Sequence, residues 1–203
     1  MKEDAMANPR RNRILVGAAL LWWVIAVGCA GTGADREAPP PAGPDGRIPG
    51  LSVVYLQTFV RHIDALPGEK AFRRHGYRGA PIGRFDHAFD GVPVFGSGLS
   101  RGVAMDATGQ ILLDRKGTYR FRAVSNDGIR VFLDGRMLFE DPDVHSARLS
   151  PEGVFEVGDP GWHDIQIRYF QRKGTAALSL RWLPPGSNAY EVVPADALSH
   201  TGP

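Results

Sequence analysis

The chain is short of several things, and each shortage removes a class of protein. It has one cysteine in 203 residues, so no internal disulfide can staple it and no free thiol remains for nucleophilic work away from that position. Its six histidines never fall in the His-x3-His spacing of a zinc site. No stretch keeps apolar residues at helical spacing long enough for a useful amphipathic helix. Charge of one sign is also lacking. The formal net charge is +2, and beyond the first 28 residues acidic and basic side chains balance, which leaves no electrostatic footprint for nucleic acid. Finally, the longest apolar run, Ile14 to Gly28, falls short of the roughly 20 residues that span a bilayer.

That run has the length of a signal peptide, and Arg10, Arg11 and Arg13 stand before it as a basic flank. It stops at the sole cysteine in "AVGC", Ala26 to Cys29, which resembles a bacterial lipobox. Residues 1–28 are therefore expected to export the protein, and Cys29 to be the lipidated N-terminus of a membrane-anchored lipoprotein. Ordinary cleavage nearby and an uncleaved anchor are the competing readings. The acidic "MKED" start leaves Met1 and Met6 both open as initiators. In a Gram-negative cell Ala30, standing where Asp would signal inner-membrane retention, points to the outer membrane.

Residues 29–49 are rich in Pro and Gly without apolar periodicity and read as a flexible tether. From residue 50 to 199 the pattern changes to period two. "GTYRFRAV" sets Tyr119, Phe121 and Ala123 against Arg120 and Arg122, and "IRVFLDG" sets Ile129, Val131 and Leu133 on one face before an Asp134-Gly135 hairpin turn. "WHDIQIRYF" does the same with Ile165, Ile167 and Tyr169, and "AALSLRWL" with Ala176, Leu178, Leu180 and Trp182. Leu51 to Val60 reads as a strand, Gln110 to Leu113 as a short buried piece, and Pro67 to Arg101 as long loops with a short strand. The expected fold is a single all-β antiparallel domain, a sandwich or a barrel.

The order "GLSVVYL", "DATGQILLDRKGTYRFRAVSNDGIRVFLDGRML", "GWHDIQIRYFQRKGTAALSLRWLPPG" and "VVPADAL", between Pro49 and Ser199, resembles the protective-antigen-type domain called PA-14. The resemblance implies a β-barrel found in toxins, in glycosidases as an accessory module, and in adhesins, most of them carbohydrate binders. It further implies, for the calcium-dependent lectins of the family, a cis-linked acidic pair that holds the ion with help from a second loop. Here the pair reads Asn126-Asp127, and the second loop reads "FQRKG", with Gln171 near the family's Asn.

The candidate ligand-binding residues are thus Asn126, Asp127, Phe170 and Gln171, with Asp127 as the one candidate metal ligand. Replacement of one carboxylate by an amide, beside Arg172 and Lys173, argues that calcium is bound weakly or not at all. The competing reading is that Asn126-Asp127-Gly128 only makes a turn, for which all three residue types are favoured.

Pairs such as His62 with Asp64, His87 with Asp90, and "DPDVH" (Asp141 to His145) read as scattered surface loops. "FGSGLS", Phe95 to Ser100, reads as Gly-Ser-Gly without a nucleophile elbow, so catalysis has no positive support and no cofactor is expected. Two functions remain: a non-enzymatic glycan-binding or adhesion lipoprotein, or a structural or assembly subunit that holds a protein partner in the envelope.

Overall fold

The computed structural model describes Gly43 and residues 45–202. The export segment, Cys29 and most of the tether lie outside the described residues. In chain order the strands are β1 (Arg47–Pro49), β2 (Ser52–Gln57), β3 (Tyr77–Arg78), β4 (Asp86–Phe89), β5 (Val103–Leu113), β6 (Gly117–Asn126), β7 (Ile129–Leu133), β8 (Arg136–Asp141), β9 (Arg148–Leu149), β10 (Gly153–Val157), β11 (Gly161–Gln171), β12 (Ala176–Leu183), β13 (Glu191–Val192) and β14 (Leu198–Thr201). One helix, α1, spans Glu69–His75.

The period-two pattern builds two antiparallel sheets. In the first, the order is β1-β14-β5-β11-β7-β8, with β2 also on β5 and β3 on β2. In the second, it is β10-β6-β12-β13, with β9 on β6 and β4 on β12. Their inner faces share one core, in which Val53, Met105, Val131, Leu133, Ile165, Ile167 and Tyr169 of the first sheet meet Tyr119, Phe121, Leu178, Leu180 and Trp182 of the second. All the inward residues expected from alternation are buried. Phe121 and Trp182 stand opposite each other on β6 and β12, and truncating an aromatic so placed typically costs about 3 to 5 kcal/mol.

Several expectations need correction. No strand pairing joins the two sheets among the described residues, so the fold is an open sandwich and not a closed barrel. Residues 47–49 are not tether: Arg47, Ile48 and Pro49 pair with Thr201, His200 and Ser199 as an edge strand, where a proline is tolerated because one side needs no donor. The short piece at Gln110 is the end of the 11-residue β5. Asp106 and Gly109 obscured it. Gly109 is required there because a Cβ would lie 2.3 Å from the Ser199 carbonyl oxygen.

The segment read as loops contains α1. Seven residues show no periodicity, yet Glu69 in the first turn and Arg73, Arg74 and His75 in the last complement the helix dipole. Its one buried residue, Phe72, joins Ile63, Leu66, Ala104 and Phe170 in a second, smaller apolar cluster. Ala104 and Phe170 project from the outer face of the first sheet, so this cluster covers part of that face.

Candidate functional site

Sequence pattern alone presents Asn126-Asp127-Gly128 as the bend of a hairpin. The structure gives it a different task. Strand β6 belongs to the second sheet and β7 to the first, so residues 127 and 128 carry the chain from one sheet to the other. Two further crossings lie beside it. One runs from β8 to β9 through residues 142–147, and the other from β11 to β12 through residues 172–175.

A single carboxylate ties the three crossings together. Asp127 Oδ1 accepts from the backbone N–H of His145 at 3.1 Å, and Oδ2 accepts from the backbone N–H of Arg172 at 2.7 Å. The Asp127 amide donates to the Phe170 carbonyl at 3.1 Å, and the Phe170 amide donates to the Gly128 carbonyl at 3.0 Å. The Asn126–Asp127 peptide is cis. Gly128 is glycine for space rather than for a turn conformation, since a Cβ would meet the Phe170 ring at 2.4 Å and the Pro142 carbonyl oxygen at 2.9 Å.

The four residues singled out in the sequence do come together, but they sit beneath the surface. Exposure is 8% for Asn126, 3% for Asp127, and 0% for Phe170 and Gln171. Phe170 therefore cannot present its ring to a sugar; it packs in the cluster with Phe72. The Asn126 amide donates to Thr175 Oγ1 at 3.1 Å, and the Gln171 amide donates to the Gly174 carbonyl at 3.0 Å. Gln171 Oε1 is buried without a donor, an acceptor left over within this arrangement. The exposed residues of the two crossings beside it are instead Asp143, Val144, Ser146 and Ala147 on one and Lys173, Gly174 and Thr175 on the other.

Burial pushes the Asp127 carboxyl above the usual carboxylate range, against the two backbone donors and the nearby His145 and Arg172 side chains. The expectation that "DPDVH" is a surface loop holds for Asp143 and Val144, which are exposed, but not for Asp141 and His145. The His145 side chain is 5% exposed, and its Nε2 lies 3.2 Å from Asp141 Oδ2, whose residue also chelates Arg148. The period-two pattern could not reveal this, because alternation assigns strand faces and says nothing of pairs made just past the end of a strand.

Calcium does not fit these residues. The one carboxylate already accepts two backbone N–H bonds and feels the Arg172 guanidinium, and the second position is an amide. A cation taking 6 to 8 oxygen ligands, preferably anionic, finds too little charge here. Among the described residues no group of three or more His, Cys, Asp or Glu converges. His62 is paired with Asp64 at 3.4 Å on the surface, and the His87 ring packs edge-on to Phe95.

One motif escaped the sequence reading. Gly98-Leu99-Ser100-Arg101-Gly102 does have Gly-x-Ser-x-Gly spacing. The structure places it on an exposed bend that leads into β5, not on a strand-to-helix elbow, so it lacks the context of a nucleophile.

Two open antiparallel sheets, with a crossing loop held against two others by one aspartate, define an all-β sandwich. Residues 100–196, just under half of the chain, match the family model of the PA14 domain. Among solved structures, the PA14 domain of the MpAFP antifreeze protein is 18% identical with a TM-score of 0.61, covering 82% of this chain and 98% of that one. The PA14 sugar-binding domain from an RTX adhesin is 21% identical with a TM-score of 0.55, covering 75% and 98%. In sequence the chain is 30% identical over 92 residues to the anti-sigma-I factor RsgI3 of Acetivibrio thermocellus. That match takes in 45% of this chain and only 14% of the relative's length.

Proposed function

We propose that the protein is a non-enzymatic envelope lipoprotein, anchored through Cys29, whose PA14 domain binds carbohydrate at the rim where the three crossings meet. The observation that carries this reading is the double acceptance by Asp127 of the His145 and Arg172 amides, which sets two loops of different origin into one fixed surface. A surface ordered before binding loses little entropy on taking a ligand. The sugar-binding adhesin domain of the same fold supports carbohydrate as the ligand class.

Recognition in this reading falls to the exposed Lys173, the Thr175 hydroxyl and the backbone of both loops. Asn126, Asp127 and Gln171 hold them from below. The Asn126 bond to Thr175 Oγ1 orients that hydroxyl, and amide-to-hydroxyl geometry of this kind suits a sugar that offers both donors and acceptors.

The test is a glycan screen of the full chain in a neutral detergent, with and without calcium. Binding of at least one glycan is expected, unchanged by a calcium chelator, and lost in Asp127→Ala. An Asp127→Ala chain that folds and keeps all its glycan binding would reduce the aspartate to a structural tie. Absence of any bound glycan would favour the protein-partner role instead.

A further inference from the structure

The arginines that alternate outward on β6 meet a second basic strand. Arg122 on β6 and Arg181 on β12 stand directly opposite each other on the outer face of the second sheet, next to the rung where Phe121 and Trp182 face inward. Arg120 lies two residues along β6 and so on the same face. Like charges placed opposite in a sheet repel.

One carboxylate partly neutralises them. Glu152 Oε1 accepts from Arg120 Nη1 at 2.6 Å, and Oε2 accepts from Arg122 Nη2 at 3.1 Å and from the Tyr190 hydroxyl. The Arg122 guanidinium lies 5.2 Å over the Tyr190 ring. Two further acids on this face are taken: Glu156 accepts from the Thr118 hydroxyl at 2.6 Å, and Asp86, opposite Ser179 on the neighbouring strand, accepts from the Ser179 hydroxyl at 3.1 Å and from Arg84 at 3.2 Å. Arg181 has no hydrogen-bond or ion-pair partner among the described residues, and its Nε is buried without an acceptor, as is that of Arg122. Around the arginines the surface is apolar: Leu183 and Val154 both pair with Arg120, and Val154 is 49% exposed.

We propose that this face is a second binding site, specific for an acidic saccharide, with a uronate carboxylate seated between Arg122 and Arg181. Guanidinium forks match a carboxylate in two parallel hydrogen bonds, and an added anion relieves the repulsion of the opposed pair. Tyr190, Leu183 and Val154 offer the apolar surface that the C–H face of a sugar ring needs and a bare inorganic anion does not. Glu152 already shows how a carboxylate sits here, held by two arginines and a tyrosine. The site is distinct from the rim: Arg122 is four residues from Asn126 along β6, about 13 Å at strand spacing.

Calorimetry of the full chain in neutral detergent tests this, with trigalacturonate, its methyl ester and inorganic phosphate as probes. The acid form should bind and the ester should not, and binding should weaken as salt rises. Arg181→Gln should bind about tenfold more weakly, as expected for loss of one charge-assisted hydrogen bond. Glu152→Gln should bind more tightly, because it removes the internal competitor. Asp127→Ala should leave this binding unchanged, which separates the site from the rim. Equal binding of acid and ester would overturn the proposal, as would wild-type affinity in both the Arg181 and Glu152 variants. Displacement of the trisaccharide by an equal concentration of phosphate would also overturn it, reducing the site to one for simple anions.

Discussion

The hydroxyl of Tyr169, wholly buried at the end of β11, donates to the backbone carbonyl of Asn126 at 2.5 Å. This bond joins the two sheets where the chain crosses between them. Burial raises the phenol well above its ordinary pKa, which favours the protonated, donating form. Tyr169→Phe keeps the ring and strands the carbonyl. The variant should lose about 1 to 3 kcal/mol, the usual cost of a buried group left unpaired, and a chemical denaturation curve measures it. An unchanged midpoint would mean that water replaces the hydroxyl.

Stability should depend on pH with opposite signs at two aspartates. Burial raises the Asp106 carboxyl, although Gln166 donates to it at 2.8 Å. A raised folded-state pKa contributes stability that is present below the unfolded value of 3.8 and is lost as pH rises through the folded one. Asp141 is lowered, first by its hydrogen bonds to Arg148, so its contribution is present above the unfolded value and is lost as pH falls through the folded one. Melting curves should show Asp106→Asn gaining on the wild type as pH rises above 3.8, while Asp141→Asn costs most at neutral pH and progressively less as pH falls below 3.8. Parallel curves for all three proteins would refute both assignments.

Neighbours on β6 should differ sharply in their effect. Phe121 is 1% exposed between the sheets, and the Arg122 side chain is 34% exposed outside them. Phe121→Ala should melt about 10 °C or more below the wild type, and Arg122→Ala within a few degrees of it. Similar melting of the two would mean that the inner and outer faces are misassigned.

Lipidation is tested through Cys29, the sole thiol. Cys29→Ala should abolish labelling by a radioactive fatty acid and shift the protein from the membrane to the soluble fraction after cleavage. Several acyl chains on one terminus are enough for stable anchoring. Normal processing and fractionation of the variant would exclude the lipobox.

The core was legible because each strand buries one face: Tyr119, Phe121, Val131, Ile165, Ile167 and Leu180 follow from alternation alone. The Asp134-Gly135 turn was legible too, with positive φ at both residues. What resisted reading were elements fixed by tertiary contact. Strand β5 contains Asp106 under α1 and a glycine forced by Ser199, and α1 is too short to repeat its pattern. The four candidate residues do meet, but beneath the surface. Their residue types looked exposed and ligand-facing, whereas Asp127 spends its oxygens on the amides of His145 and Arg172, contacts that no local pattern encodes.

The β5–β11 ladder, running from Gly161↔Leu113 to Gln171↔Val103, also governs how the domain must form. Every rung closes a loop of roughly fifty residues or more, an entropic cost that is met before any contact repays it. The chain therefore has high contact order, and its folding belongs in the millisecond-to-second range of sandwiches rather than the microseconds of helical bundles. Until that ladder closes, the apolar inner faces of β6 and β12 have no complete first sheet to pack against. A chain in that condition is open to aggregation or capture by a chaperone for as long as it takes β5 to find β11.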